Sequence, residues 1–187
     1  MSDLSASNVE AGTSLRRLPE TDIDTALAAQ LARLLGSCFE EYPGRSYFKL
    51  PPHLRYVVES EDRVVAQMGV ELRMVRVGAE VLRTLGLVDL CVDPAQRSRG
   101  LAGRLLGEVT AFGAQAGVAF IVLFADDDRL YRRQGWSSVA NTCSWLQIND
   151  HTTMGLAERE NTGALMVKAI GDRAWPDGDV DLLGHLF

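Results

Sequence analysis

Ile23, Leu27, Leu31, Leu34, Leu35 and Phe39 recur every third or fourth residue, the spacing that lines up one face of an α-helix. Thr21 or Asp22 stands just before this stripe, where a side-chain oxygen can cap the first turn. A second stripe, Leu101, Leu105, Val109 and Phe112, predicts a helix after Pro94 that ends near Gly117. A third and shorter helix is predicted over Arg129 to Gln134, stopped by Gly135. Elsewhere the pattern is that of strands. Val64, Ala66, Met68, Val70, Leu72 and Met74 alternate with more polar neighbours, the signature of a half-buried strand. Val81 to Val92 and Val118 to Ala125 are mostly apolar throughout, as in central strands buried on both faces. Ser14 to Leu18, Leu54 to Glu59, Trp136 to Ile148 and Ala164 to Ile170 read as further strands. Glu40 to Pro52 carries Pro43, Gly44, Pro51 and Pro52 and reads as a loop or broken helix.

Strands interleaved with helices give an α/β (α+β) class, a mixed sheet with helices packed on its faces. The 187-residue length suits a single domain over 14–187, preceded by a small, polar leader over 1–13. Residues 171–187 form an apolar-rich tail that packs either on the body or on a second subunit, which would make a homodimer. No apolar run approaches the roughly 20 residues of a membrane span, and the first residues lack a signal core. A cytoplasmic protein without membrane attachment is the expectation. A net charge of −6 with scattered basic residues argues against nucleic acid as a partner. The three cysteines and three histidines match neither a disulfide framework nor a metal-ligand spacing, so no metal is expected.

Candidate chemistry concentrates in Leu90-Cys91-Val92-Asp93-Pro94-Ala95-Gln96-Arg97-Ser98-Arg99-Gly100-Leu101-Ala102. A buried strand ends, a proline turn follows, and a small-residue loop opens a helix. Unpaired N–H groups and the positive end of the helix dipole collect there. Ser98, Gly100 and Ala102 leave room for a phosphate, and Arg97 and Arg99 add charge. The segment is neither a Walker loop nor a GxGxxG fingerprint. Taken alone, it is equally a tightly packed helix start flanked by solvated arginines.

Arg97-Ser98-Arg99-Gly100-Leu101-Ala102 resembles the pyrophosphate loop of the GNAT (GCN5-related N-acetyltransferase) superfamily, and Leu130-Tyr131-Arg132-Arg133-Gln134-Gly135-Trp136 resembles its second signature. The two stand in the family's order, and the resemblance covers Ser14 to Ile170. A weaker likeness, carried by Val65 to Pro94, Trp175-Pro176-Asp177-Gly178 and the surroundings of Tyr131, links the chain to nodulation protein A acyltransferases and aminoglycoside 2′-N-acetyltransferases. The resemblance implies a GNAT fold with about six or seven strands and helices on both faces. It also implies an N-acetyltransferase moving an acyl group from acetyl-CoA or another acyl-CoA to an amine of a small molecule or peptide.

By the same resemblance, Leu90, Cys91 and Val92 hold the thioester, while Arg97, Ser98, Arg99, Gly100, Leu101 and Ala102 hold the pyrophosphate. An N–H of Leu90 or Val92 steadies the acyl oxygen, and Tyr131 protonates the leaving sulfur. Family glutamates at the places of Gly86 and Val88 are absent, which leaves Asp89 and Glu71 as candidate bases. Asp89 qualifies only if a bulge turns it toward the cleft. Cys91 reads as a buried structural thiol. Glu40, Glu41, Tyr42 and Tyr47 are candidates for gripping a cationic amine, and Asp126, Asp127 and Asp128 for capping the Tyr131 helix. Two alternatives stay open: a non-catalytic acyl-CoA sensor or scaffold, and a nodulation-protein-A-like enzyme using a longer acyl chain.

Overall fold

Asp24, rather than Thr21 or Asp22, starts the first helix: its carboxylate accepts from the Leu27 N–H at 2.8 Å, while Glu20–Asp22 form a separate 3-10 turn. The computed structural model describes residues 12–40, 42–160 and 163–187. The leader therefore lies outside the described residues up to residue 11, and Thr13 already belongs to the first strand. The chain forms two compact units, one running up to Val70 and resuming over Val88–Leu105, the other made of Glu71–Leu87 and Leu106–Phe187. Two long strands, β3 (Arg63–Val77) and β4 (Glu80–Val92), contribute residues to both.

In the first unit, β1 (Thr13–Pro19) pairs antiparallel with β2 (Leu54–Ser60), which pairs antiparallel with the first half of β3. Helix α1 (Thr25–Cys38) lays Leu27, Leu31, Leu34 and Leu35 onto Val57, Val64 and Cys91. Leu31 and Leu35 are fully buried, each worth about 1.5–3 kcal/mol of hydrophobic stabilisation. Residues 42–53 join α1 to β2 without a regular element.

In the second unit, β5 (Phe120–Phe124) lies parallel to β4, and β9 (Leu165–Ala169) antiparallel to β5 and to β6 (Ser137–Val139). Beyond β3 come β10 (Val180–His185), β7 (Thr142–Asn149) and β8 (Thr152–Glu160). The strand order is β6-β9-β5-β4-β3-β10-β7-β8. Helix α2 (Leu101–Ala116) begins in the first unit and runs into the second, and α3 (Arg129–Arg133) follows β5. The fold is the expected mixed α+β one, with more strands than expected. Trp136 to Ile148 is two strands rather than one, and β8 and β10 add two more. The tail over 171–187 packs on the body of its own unit: Trp175, Val180, Leu182, Leu186 and Phe187 join the core around Phe120, Val122 and Val167.

On β3 the expected inward face changes sides. Val64, Ala66, Met68 and Val70 are buried, yet Leu72 and Met74 are 42% and 47% exposed while Glu71 is buried. Up to Glu71 the strand is covered on both faces, and beyond it Val75 and Val77 face the core.

Candidate functional site

β4 and β5 stay in register only over Thr84↔Phe120, Leu85↔Ile121 and Gly86↔Val122. Leu123 and Phe124 continue β5 without a partner on β4, so the two strands part after Gly86. Three residues later Asp89 takes φ 55°, a left-handed backbone conformation that breaks side-chain alternation. Its carboxylate accepts from the Tyr42 hydroxyl at 2.7 Å, and its carbonyl accepts from the Gln67 amide. Burial, reinforced by the Asp89 charge, raises the Tyr42 pKa and keeps that phenol a donor.

β4 then runs into the loop. Asp93 accepts from the Ala95 N–H at 2.9 Å and starts a 3-10 turn over Pro94–Gln96. Ser98 follows with φ 64° and Gly100 with φ 79°. Two left-handed residues around Arg99 shape the backbone into a concavity that gathers N–H groups. Arg97, Ser98, Arg99 and Gly100 are all exposed, and a Cβ built on Gly100 meets nothing within 4 Å. Leu101, 5% exposed, anchors the first turn of α2, and Ala102 behind it is half-buried. An open, basic, N–H-rich loop at the start of a 16-residue helix fits a pyrophosphate.

At the end of β4 the Val92 carbonyl is already engaged, accepting from Arg97 Nε at 3.3 Å and Cys38 Sγ at 3.5 Å. Cys91 is buried beside Cys38, which agrees with a structural thiol. The hydrogen bond from Cys91 lowers the Cys38 pKa to about 6, with Ser37 and Arg97 acting in the same direction. The same pairing, with burial, raises that of Cys91. Thiolate therefore forms on Cys38 as pH rises through about 6. At pH 7 iodoacetamide should alkylate Cys38 at least about tenfold faster than Cys91 or Cys143. Mass-mapped rates between pH 5 and pH 9, scanned in about half-unit steps, check this; a Cys38 rate still climbing steeply above pH 8, as for an ordinary thiol, would contradict it.

In the second unit Tyr131 lies on α3, its ring 5.8 Å from that of Trp136 in an edge-to-face contact. Burial raises the Tyr131 pKa, with the Asp127 charge adding to it, so the hydroxyl holds its proton. Asp127 accepts from the Arg129 N–H at 3.1 Å, and Asp128 pairs with Arg132 one turn on. Asp128 is the N-cap residue of α3 but makes no side-chain capping hydrogen bond.

Glu71 is 3% exposed and carries two partners: Arg73 Nη1 at 3.2 Å and His185 Nε2 at 3.0 Å. Arg73 also donates to the carbonyls of His185 at 2.6 Å and Leu182 at 3.1 Å, and its guanidinium lies 4.5 Å from the Phe187 ring centre. The same ring occupies the space a Cβ on Gly86 would need. Nearby, a cavity of about 620 Å³ has Phe124, Trp145 and Leu186 in its walls and Asp126, Asp128 and Glu160 among its polar lining.

The sequence matches the profile of the GNAT acetyltransferase domain over residues 15–139. The chain belongs to the GNAT family. No functionally curated protein matches it. Among solved structures it resembles the GNAT N-acetyltransferase YhbS of Escherichia coli in complex with CoA, at 19% identity and TM-score 0.65, covering 95% of this chain and 93% of that one. A GNAT acetyltransferase of Brucella melitensis in complex with acetyl-CoA is similar at 21% identity and TM-score 0.57, over 89% and 94%. A GNAT protein of Anabaena variabilis is matched over 70% of this chain at 19% identity and TM-score 0.55, and this chain spans 34% of its length. At these identities the likeness is one of fold.

His185, Arg73 and Phe187 carried no signal in the sequence: His185 stands 114 positions from Glu71 and lies in a short segment with no strand periodicity. Among the described residues no cluster of three His, Cys, Asp or Glu could hold a metal ion, and no helix is long and apolar enough to cross a membrane.

Proposed function

We propose that this GNAT chain transfers an acetyl group from acetyl-CoA to the amine of a small molecule or peptide in the cytoplasm. The observation that carries the reading is the loop with left-handed Ser98 and Gly100 at the start of α2, exposed and open where a phosphate would rest. Its N–H groups, with Arg97 and Arg99, bind the pyrophosphate. Leu90 and Cys91 offer backbone groups to the thioester arm, and an N–H of Leu90 or Val92 stabilises the negative charge that grows on the acyl oxygen. The amine attacks the carbonyl carbon directly, the C–S bond breaks, and Tyr131, kept protonated by burial, gives the sulfur its proton. The acidic and aromatic cavity lined by Trp145, Asp126 and Glu160 suits a cationic amine with an apolar body.

Isothermal titration with acetyl-CoA, CoA and ATP tests the reading. Micromolar binding of both CoA species but not ATP is the expected result, and no CoA binding would overturn it. Tyr131→Phe should bind CoA normally and lose about ten- to a hundredfold in turnover, measured as thiol release. A second reading, an acyl-CoA sensor without turnover, is favoured by one observation: Phe187 fills the space over Gly86 where a side chain would otherwise project. A wild-type protein that binds acetyl-CoA tightly yet acetylates no amine would establish it.

A further inference from the structure

Glu71 is a carboxylate almost sealed from water, held by Arg73 on one oxygen and by His185 on the other. A carboxylate held between a guanidinium and an imidazole accepts from both. Nε2 of His185 therefore carries the proton that it donates to Glu71, and Nδ1 is left as a free lone pair. Nδ1 has no hydrogen-bond partner among the described residues. The His185 side chain keeps 16% of its surface exposed. A carboxylate that fixes the tautomer of an imidazole and stabilises its cation, with the other nitrogen open, is the arrangement of a general base.

The backbone around this pair is built for it. β10 shifts register against β7 between Asp181 and His185, and Leu183 inside that shift takes φ 48°. A non-glycine residue held left-handed is costly, and here it re-aims the end of the strand. Gly184 follows because a Cβ there would collide with the Arg73 guanidinium. Arg73 clamps the two carbonyls on either side, those of Leu182 and His185. Phe187 stacks on Arg73 and covers Gly86, the residue after which β4 and β5 part. Leu186 lines the acidic cavity. The pair thus sits where the sheet opens.

We propose that His185 is the general base of the transfer reaction and that Glu71 is its positioning residue. This rests on the acyltransferase reading. As the amine nitrogen forms its bond to the thioester carbonyl carbon, its proton passes to Nδ1 of His185. The C–S bond breaks with its electron pair on sulfur, the thiolate is protonated to CoA thiol, and His185 returns its proton to solvent. The charged groups facing His185 are Glu71 and Arg73 on β3, while Arg76 and Asp181 pair with each other further along. β7 brings no charged side chain.

The test uses the full chain, acetyl-CoA, and the best of a panel of primary amines (tyramine, spermidine, a glycyl peptide), with thiol release as the signal. His185→Gln should retain acetyl-CoA affinity within about twofold by titration and lose about a hundredfold in kcat. Glu71→Gln should lower kcat with KM unchanged, and Glu71→Asp should recover part of the loss; a merely structural role would lower stability without this split. Should either variant unfold, diethyl pyrocarbonate on the wild type decides: inactivation must follow modification of His185, mapped by mass, and not of His53 or His151. Full activity in folded His185→Gln, or in protein carbethoxylated at His185, would overturn the base while leaving the acyltransferase intact. Wild type that binds acetyl-CoA but releases no thiol with any amine would overturn both.

Discussion

Gly100→Val should weaken acetyl-CoA binding by about a hundredfold or more while leaving the fold in place. Gly100 sits at φ 79°, where a β-branched residue is strained, yet a Cβ there touches nothing within 4 Å. The cost therefore falls on the loop and not on the core. Valine gives up about 1–2 kcal/mol to hold this conformation; if the loop relaxes instead, the N–H groups of 98–100 turn away from the phosphate. Losing two charge-assisted hydrogen bonds at about 1.5–3 kcal/mol each amounts to at least that hundredfold. Melting should fall by no more than about 8 °C, since 1 kcal/mol is worth about 2–4 °C in a chain of this size. Titration and a thermal scan on one sample separate the two effects. Affinity equal to wild type in a folded Gly100→Val protein would remove the pyrophosphate cradle.

The loop was legible because its signal is local. A strand, a proline turn, small residues and a helical stripe follow one another from Leu90 to Ala102, and each constrains backbone geometry within a few residues. The same holds for α1, α2 and the strands β1 to β5, which form close to where the local pattern places them. What was not legible depends on distant partners. Glu71 was readable as a carboxylate near the cleft, but whether it is solvated or buried is decided by β10, and β10 has only Val180 and Leu182 to mark it as an inward strand. The change of face at Leu72 has the same origin, because alternation names two faces and cannot say which one the rest of the chain covers. Asp89 shows the intermediate case: its residue type was visible, but its left-handed backbone is bonded to Gln67 and its carboxylate to Tyr42, from outside the strand that carries it.

That support is the basis of the second large effect, Arg55→Ala. Arg55 is wholly buried, bonded to Glu20 through Nε at 2.6 Å and Nη2 at 3.1 Å, and to Gln67 Oε1 at 3.0 Å. Gln67 turns its amide nitrogen to the Asp89 carbonyl, and the Asp89 carboxylate takes the Tyr42 hydroxyl. One polar chain thus ties the turn before α1, strands β2 and β3, the left-handed Asp89 of β4 and the loop after α1. Removing the guanidinium leaves Glu20 and Gln67 without their shared donor, and breaking such a buried pair costs about 3–5 kcal/mol. Melting should fall by about 6–20 °C, far more than for an exposed pair such as Arg16 with Glu59, whose loss is worth about 1 kcal/mol or less. The mechanism predicts its own remedy. Arg55→Met combined with Glu20→Met removes both charges and fills the space with apolar atoms, so it should be more stable than Arg55→Met alone. If the single Arg55→Met variant melts with the wild type, or if adding Glu20→Met lowers its stability further, Arg55 is held by packing of its stem rather than by this network.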